Sequence, residues 1–354
     1  MKNILYFFLL YFLIACSNHK EQKVEIVKEF LSEVSLEHSE IETPPVLFNV
    51  GQIIMLDSVI ITIDVKASPF FRVFLLPDFL YVGGFIQKGA GPGEEVDIDP
   101  FIHGLSGNAF LYKSLKSIKI VDFNLKQKKI EILENNKLPG ELLGFSHIFM
   151  LPDSLLGGWN VNQNSNKEFI KYNPKTKTIS EFGPNYSKII KDVPPQMEAS
   201  IFSKIVTVRP DRTAFAAVYD KFQMLRIFST NGILLKEVRF KDSPKLPKGI
   251  IIGDYRAITP DEIIVHYQKI YSTNKYIYAL YSGKSLSIIS PENNGIVDIC
   301  DEIHVWNWEG NPIVKISLDK DFFSFTVASD DSYIICSSSE SLDRLYLYNL
   351  DILK

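Results

Sequence analysis

Six short apolar runs in this chain each hold one polar side chain that could contact a ligand. Amide, hydroxyl and imidazole groups donate and accept hydrogen bonds without carrying a full charge. The six residues are Gln52, His103, His147, Thr207, Gln268 and Ser324. If the runs come together in the fold, these groups form a polar pocket with few charges, suited to a neutral or weakly anionic ligand. The alternative is that each group bonds to the backbone of a neighbouring strand.

A second candidate surface surrounds Trp159. In residues 157–164 the tryptophan follows two glycines and precedes three asparagines and one glutamine. An exposed indole ring suits the face of a sugar, and amide side chains suit its hydroxyl groups. The alternative is that Trp159 packs inside the protein between neighbouring sheets.

The chain shows no residue pattern of a catalytic or metal centre. The six histidines form no pair such as His-x-x-x-His, and no Gly-x-Ser-x-Gly turn holds a serine nucleophile. Gly89–Glu94 is glycine-rich but lacks the Gly-Lys-Ser/Thr ending and the helix that bind phosphate, which favours a tight loop. Asp97 and Asp99 lack the spacing of a calcium loop. We therefore predict no cofactor and no metal, and we assign no catalytic residue.

A unit of strands and turns recurs six times from about residue 46 onward. Each unit has a tight turn with Asp, Asn or Gly between two apolar runs. In five units an aromatic followed by Asn or Ser ends a later strand, whereas the first unit has Phe71–Phe74 in that place. The turn positions, with spacings of 50, 46, 58, 63 and 57 residues, are Asp57, Gly107, Asp153, Asp211, Asn274 and Asp331. Six such units predict an all-β, six-bladed β-propeller over residues 46–354. A pair of β-sandwiches and a solenoid are the competing architectures.

The ring of a propeller has to be closed. The last unit ends at Tyr348-Asn349-Leu350, with only a few residues after it. We therefore expect a strand from residues 23–50 to complete the sixth blade. The innermost strands would then line a central channel and carry the six polar residues. Their offsets from the turns differ by one to three residues, which leaves open whether they share one ring.

The N-terminus has the order of a secretory signal. Lys2 precedes an apolar run from Ile4 to Ala15, which is too short to span a bilayer, and Cys16 follows it. Leu13-Ile14-Ala15-Cys16 resembles the lipobox of bacterial lipoproteins, which implies cleavage before Cys16 and acylation of that cysteine. We predict a signal peptide over residues 1–15 and a lipidated tether over residues 16–45, in which helical and strand patterns both occur.

Composition excludes several classes of protein. The formal charge of −4 gives no overall basic field for nucleic acid, so no nucleic-acid partner is expected. A hydrophobic content of 46% argues against disorder. Cys300 and Cys336 lie in apolar, strand-like runs and are expected to be buried, although a disulfide is chemically allowed in an exported protein.

Two segments carry a family resemblance. One is the Gly89–Glu94 loop, and the other is Ile277–Lys284 followed by Ile303–Pro312. Together they resemble the TolB-like six-bladed β-propeller lipoproteins of Bacteroidetes. The resemblance implies a propeller fold and a location in the cell envelope. It implies no established reaction and therefore no catalytic residues.

These features predict a lipid-anchored envelope propeller that acts as a ligand-binding or protein-binding module. Its partners would be the membrane, through the lipid, and an envelope protein or a glycan. The alternative is an envelope glycan hydrolase or lyase with its site at the channel mouth, and a scaffold role is a third option. Ser17 differs from the aspartate that retains lipoproteins at the inner membrane, which favours the outer membrane. Residues 17–21 match acidic surface-export signals poorly, which favours the periplasmic face over the cell surface.

Overall fold

The chain forms a closed ring of six β-sheets. The computed structural model describes residues 24–160, 165–190, 193–240, 246–253, 262–288 and 298–353. Within these residues every blade has at least four strands, and the strands follow the sequence order from the centre of the ring outward. The exceptions are the three N-terminal strands, each of which is added at the outer edge of a blade. Each innermost strand contacts the innermost strands of both neighbouring sheets. The prediction of an all-β, six-bladed β-propeller is therefore confirmed, and the sandwich and solenoid alternatives are excluded.

The strands divide into an N-terminal group and six blades. The N-terminal strands are β1 (Val24–Val27), β2 (Glu33–Leu36) and β3 (Ser39–Glu42). Blade 1 has β4 (Gln52–Met55), β5 (Val59–Ile63), β6 (Phe71–Leu75) and β7 (Leu80–Phe85). Blade 2 has β8 (Ile98–Gly104), β9 (Ala109–Ser114), β10 (Ser117–Asn124) and β11 (Lys129–Lys137). Blade 3 has β12 (Ser146–Met150), β13 (Leu156–Trp159), β14 (Lys167–Asn173) and β15 (Thr178–Asn185).

The second half of the ring has the same plan. Blade 4 has β16 (Lys204–Val208), β17 (Ala214–Tyr219), β18 (Met224–Ser229) and β19 (Leu234–Phe240). Blade 5 has β20 (Ile264–Ser272), β21 (Tyr276–Ser285), β22 (Cys300–Asn307) and β23 (Pro312–Phe322). Blade 6 has β24 (Ser324–Val327), β25 (Tyr333–Ser337) and β26 (Arg344–Asn349). Its fourth strand comes from the N-terminal group.

Helix is limited to short connections in the described part of the chain. The α-helices are α1 (Pro195–Ile201), before blade 4, and α2 (Lys248–Ile252), before blade 5. Single 3₁₀ turns occupy Gly140–Leu142, Pro152–Ser154, Leu286–Ile288 and Asp351–Leu353. None of the helices in the described segments is long and apolar enough to cross a membrane.

The N-terminal strands run along the outer edges of three successive blades. β1 adds to β19 of blade 4 and β2 adds to β23 of blade 5, both in parallel, whereas β3 pairs antiparallel with β26. The expected closing strand is therefore present, as β3. Residues 24–42 of the expected tether contribute β1, β2 and β3, and Val27 and Phe30 bury their side chains against blades 4 and 5.

The recurrent sequence signals have a physical role in the blades. The Asp, Asn and Gly turns join the first and second strands of each blade, as Asp57 does between β4 and β5. In blades 2 to 6 the aromatic residues lie at the end of the third strand, and Phe123, Tyr172 and Trp306 are buried between blades. The asparagines after them accept backbone N–H groups of the next turn, as Asn124 does from residues 126 and 127. Each signal therefore fixes a strand end.

The core lies between blades rather than inside any one of them. The cluster between blades 5 and 6 contains both Cys300 and Cys336, which are buried free thiols. The Gly89–Glu94 segment is a loop between blades 1 and 2, in which the Gly91 N–H donates to a carboxylate oxygen of Glu94 at 2.8 Å. A blade alone would expose both faces, so the ring is the smallest unit that buries its apolar surface.

Candidate functional site

Three of the six predicted polar residues bond to a neighbouring blade. The Gln52 amide donates from Nε2 to the Ile102 carbonyl at 3.1 Å and accepts the Ile102 N–H at 2.8 Å, which joins blades 1 and 2. Thr207 and Ser272 share a hydroxyl hydrogen bond of 2.9 Å between blades 4 and 5. The Ser324 hydroxyl accepts the Ile53 N–H at 3.1 Å, which joins blades 6 and 1. These side chains tie the inner strands together.

A tyrosine crosses the channel close to the turns that end the inner strands. The Tyr271 hydroxyl, in blade 5, donates to the Met55 carbonyl of blade 1 at 2.9 Å. The Thr326 hydroxyl of blade 6 accepts the Met55 N–H at 2.8 Å. Blade 6 lies between blades 5 and 1, so Tyr271 reaches past a whole blade at this end. The Tyr271 side chain therefore occupies part of the channel at this end.

Lys269 places its ammonium group near the centre of the ring. Its Nζ lies 4.5 Å from the ring centre of Phe323, just before β24, and 5.2 Å from that of Phe101 in β8. Lys269 belongs to blade 5 and Phe101 to blade 2. Two blades lie between them in either direction around the ring, so the two blades are opposite each other. A contact between opposite blades has to pass through the central channel. The lysine is 7% exposed, whereas both phenylalanines are half-buried.

The Lys269 ammonium group has no anionic partner among the described residues, which is rare for a buried lysine. Its contacts are the two aromatic faces, which attract a cation weakly. Burial lowers the pKa of Lys269 to about 8, so the side chain is mostly charged at neutral pH. The Lys269 ammonium group is therefore the candidate site for an anionic group.

His147 extends the aromatic wall beside Phe101. Its ring centre lies 3.6 Å from that of Phe101 and 6.0 Å from that of Trp159, to which it is nearly parallel. Both ring nitrogens are buried, and the backbone of Lys204 is close enough to hydrogen-bond to the ring. Burial, and then the charges of Lys269 and Lys204, lower the pKa of His147 to about 3. The imidazole is therefore neutral at physiological pH. We call Phe101, His147, Lys269 and Phe323 the Lys269 cluster.

Two backbone irregularities affect the direction of the Lys269 and His147 side chains. Lys269 follows a register shift between Tyr267 and Lys269 in the pairing of β20 with β21, and Gln268 is the extra residue. His147 has φ +50° and lies in an irregular part of β12, between Ser146 and Phe149. Bulges of this kind redirect side chains and are frequent near functional sites. The sequence analysis selected Gln268 as the polar residue of an apolar run and missed Lys269, because a bulge has no clear sequence signal.

The remaining predicted residues lie apart from one another. His103 is half-buried in β8, and burial, followed by the charge of Arg212, lowers its pKa to about 4. Trp159 is half-buried against His147, and its indole N–H is buried close to the Tyr186 hydroxyl. Residues 161–164 of the proposed sugar platform and Cys16 lie outside the described residues. A ligand-binding role for all of these residues stays a prediction.

A second buried lysine shows how this fold normally treats such a charge. Lys204, the first residue of β16, has its Nζ 3.4 Å from a carboxylate oxygen of Glu168 and is fully buried. Glu168 also accepts from the Tyr219 hydroxyl at 2.9 Å and binds Arg226. Burial lowers the pKa of Lys204 to about 8 despite the opposing effect of Glu168. Lys204 is therefore a matched structural counterpart of Lys269.

An open cavity of about 510 Å³ lies elsewhere, at the outer edge of blade 6. Its wall includes Glu40, Lys320, Arg344 and Tyr346. Arg344 pairs with Glu40 at 2.7 Å, and Lys320 donates to the Tyr346 hydroxyl at 3.2 Å. Its polar groups are largely satisfied by one another, so we prefer the Lys269 cluster as the candidate site. No group of three or more metal-ligating side chains occurs in the described segments.

The profile of the TolB-like 6-blade propeller-like family matches residues 46–330. The chain belongs to this family. The resemblance carried by the Gly89–Glu94 loop and the later segments is thereby confirmed. Membership in the TolB-like family agrees with the six blades of the structure, and the match begins after the N-terminal strands β1, β2 and β3.

Solved structures of two Bacteroides proteins have the same fold as this TolB-like chain. A predicted exported protein of Bacteroides fragilis is 14% identical, with a TM-score of 0.57, and the match covers 93% of this chain and 99% of that one. A DUF4221 family member from Bacteroides vulgatus is 12% identical, with a TM-score of 0.63, and the match covers 91% and 97%. No curated protein matches in sequence. Identities this low support the fold alone.

Proposed function

We propose that this TolB-like protein is a lipid-anchored envelope protein that binds a small anionic ligand at the mouth of its central channel. The single observation that carries the ligand site is Lys269, a buried ammonium group near the channel centre without an acidic partner. The N-terminal signal ending at Cys16 supports export and lipid attachment.

The chemistry of the Lys269 cluster favours a ligand with a carboxylate or phosphate on a flat or apolar body. A carboxylate would take the ammonium charge and replace the weaker cation–π contacts. The faces of Phe101 and Phe323 would pack on the apolar body, and neutral His147 can donate or accept one hydrogen bond. A neutral sugar would leave the Lys269 charge unpaired, which argues against a simple glycan in this position.

The test compares two probes of the same shape, benzoate and the neutral benzamide. Fluorescence of the tryptophans reports binding because Trp159 stacks on His147. We expect benzoate to bind at least about tenfold more tightly than benzamide, since one charge-assisted contact is worth roughly 1.5–3 kcal/mol. Lys269→Met should remove this preference, whereas Lys269→Arg should retain part of it. Equal affinity of the native protein for the two probes would contradict the proposal.

The alternative, a glycan hydrolase or lyase, needs an acid and a base that converge on one bond. His147 is a weak base because its pKa is about 3. Asp99 lies two residues before Phe101, and burial raises the pKa of its carboxyl, which accepts the Phe101 N–H at 3.0 Å. One carboxyl beside a neutral imidazole does not form an acid–base pair, so binding is the better supported function.

The location in the envelope follows from the same N-terminal residues. We propose the periplasmic face of the outer membrane, since Ser17 follows Cys16 and no acidic cluster follows it directly. Protease treatment of intact cells tests this orientation. A protein on the periplasmic face stays intact until the outer membrane is permeabilised, whereas digestion in intact cells would place it on the cell surface. Affinity capture of the lipidated protein would then identify an envelope protein or glycan partner.

A further inference from the structure

The described chain begins at the outer edge of blade 4. Its first residue, Val24, opens β1, which is the outermost strand of that blade. Cys16 lies eight residues earlier in the sequence. Eight residues reach at most about 27 Å even when fully extended. The edge formed by β1 is therefore the part of the propeller that a lipid on Cys16 would hold nearest to a bilayer.

This same edge leaves large apolar side chains in solvent. Val24 is 45% exposed and Ile26 is 62% exposed, and alternate residues of a strand share one face. On and beside the adjacent strand β19, Leu235 is 52% exposed and Ile233 is 64% exposed. Single exposed apolar residues are ordinary, but a group of them marks a contact surface.

We propose that the outer edge of blade 4, formed by Val24, Ile26, Ile233 and Leu235, rests on the bilayer that holds the Cys16 lipid. The inference depends on the lipid anchor of the proposed function and is independent of the ligand site. A bilayer fits this edge better than a protein partner, because the short connection to Cys16 holds the edge at the membrane surface. Apolar side chains of such a surface insert about 5–10 Å into the headgroup region.

This contact defines the orientation of the channel. The outer strands form the rim of the ring, whereas the channel runs through its centre. With the rim of blade 4 on the bilayer, the channel axis lies along the membrane plane. Both ends of the channel then open into the aqueous space, and a water-soluble ligand reaches the Lys269 cluster without crossing the membrane surface.

The test uses the full lipidated chain in phosphatidylcholine–phosphatidylglycerol vesicles, with one added cysteine carrying the fluorophore NBD. Ile26→Cys labels the proposed contact. Leu80→Cys is the matched control, since Leu80 is 60% exposed on β7 of blade 1, directly opposite blade 4. Cys300 and Cys336 are fully buried and should not react. Brominated lipids should quench most of the fluorescence at position 26 and little of it at position 80.

Each outcome of this test has a separate meaning. Equal quenching at positions 26 and 80 on vesicle-bound protein overturns the blade 4 contact and leaves the lipid anchor intact. Protein that stays in solution after the detergent is removed contradicts the anchor and the contact together. An Ile26→Glu variant provides a second measurement, because a charge on this face should lower the quenching of NBD placed at position 24 while the lipid keeps the protein bound.

Discussion

Lys269 and Lys204 differ in whether a carboxylate pairs with the ammonium group, and this difference determines how each lysine affects the stability of the protein. Both are buried lysines whose pKa burial lowers to about 8. Lys204 contacts the Glu168 carboxylate at 3.4 Å, whereas the Lys269 ammonium group lies over the rings of Phe101 and Phe323 and forms no ion pair with a carboxylate among the described residues. Removing a paired charge leaves its partner unpaired, whereas removing an unpaired charge relieves a desolvation penalty. The two lysines should therefore respond to the same substitution in opposite directions.

Lys269→Met should stabilise the protein at pH 7 and Lys204→Met should destabilise it. The folded pKa of Lys269, about 8, is below the ordinary value of 10.5, so the unfolded chain holds more protons between these pH values and stability rises across that window. Lys269→Met should raise the free energy of unfolding by about 3 kcal/mol below pH 8, and this gain should disappear above pH 10.5. Urea unfolding at pH 7 and pH 10.5 measures both variants. A loss of stability in Lys269→Met at pH 7 would contradict this account.

The sequence analysis selected the strand that holds Lys269 but chose the neighbouring Gln268, whose role stays a prediction. Gln268 and Lys269 are adjacent, and strict alternation would place them on opposite faces of β20. Which one reaches the centre depends on the register shift after Tyr267, a tertiary feature. Phe101 and Phe323 were not selected, because an aromatic residue in an apolar run is indistinguishable in sequence from a core residue. Contacts between opposite blades cannot be derived from local pattern.

The inner strands depend on side-chain bonds between blades as well as on apolar packing. Ser324 is fully buried and accepts the Ile53 N–H at 3.1 Å across the boundary of blades 6 and 1. The Gln52 amide joins blades 1 and 2 with two hydrogen bonds to the Ile102 backbone. Losing such an acceptor leaves a buried N–H without a partner. These residues are thus expected to affect stability more than ligand affinity.

Ser324→Ala should lower stability by about 1–2 kcal/mol because the Ile53 N–H loses its acceptor. Benzoate affinity should stay unchanged, because the hydroxyl is committed to the blade boundary. Thermal unfolding and a fluorescence titration on the same sample measure the two quantities. Thr176→Ala, at an exposed hydroxyl, is the control and should change neither. A loss of benzoate affinity in Ser324→Ala would instead assign Ser324 to the ligand.

The N-terminal strands stabilise blades 4 and 5 through one aromatic residue. Phe30 is 7% exposed, and its ring centre lies 5.4 Å from those of Phe240 and Trp306. Phe30→Ala should destabilise the protein by about 3 kcal/mol because it empties this space. The adjacent Leu31 is 84% exposed, so Leu31→Ala should cost almost nothing. Chemical unfolding of both variants measures the difference, and equal small effects would show that residues 24–36 add little stability.

Most of the element pattern could be predicted because turns and strand ends have local causes. Asn124 and Asn173 accept backbone N–H groups of the turns that follow them, so the sequence signal and the structure coincide. The strands β1 and β2 could not be predicted with the same clarity. Val27, Phe30 and Val34 fit a helix as well as a strand, and only the open edges of β19 and β23 decide between them.

The sixth blade is completed at the seam between β3 and β26. Ile41 pairs with Leu345 there and packs against the core shared by blades 6 and 1. Ile41→Asp should destabilise the entire molecule by about 2–3 kcal/mol, since a charge then enters an apolar seam. Tryptophan fluorescence and far-ultraviolet circular dichroism should still report the same single unfolding transition. Ser39→Asp, at an exposed position of the same strand, is the control, and separate transitions for the two probes would show that blades unfold independently.

The pairing of β3 with β26 joins residues about 300 positions apart, such as Glu42 with Arg344. In a chain made or delivered N-terminus first, β3 therefore has no partner until β26 emerges. Contacts so distant in sequence form slowly, and the unfinished ring leaves strand edges open to other chains in the meantime. Completion of the ring thus depends on when β26 arrives, and the interval before that is the period of greatest exposure to aggregation.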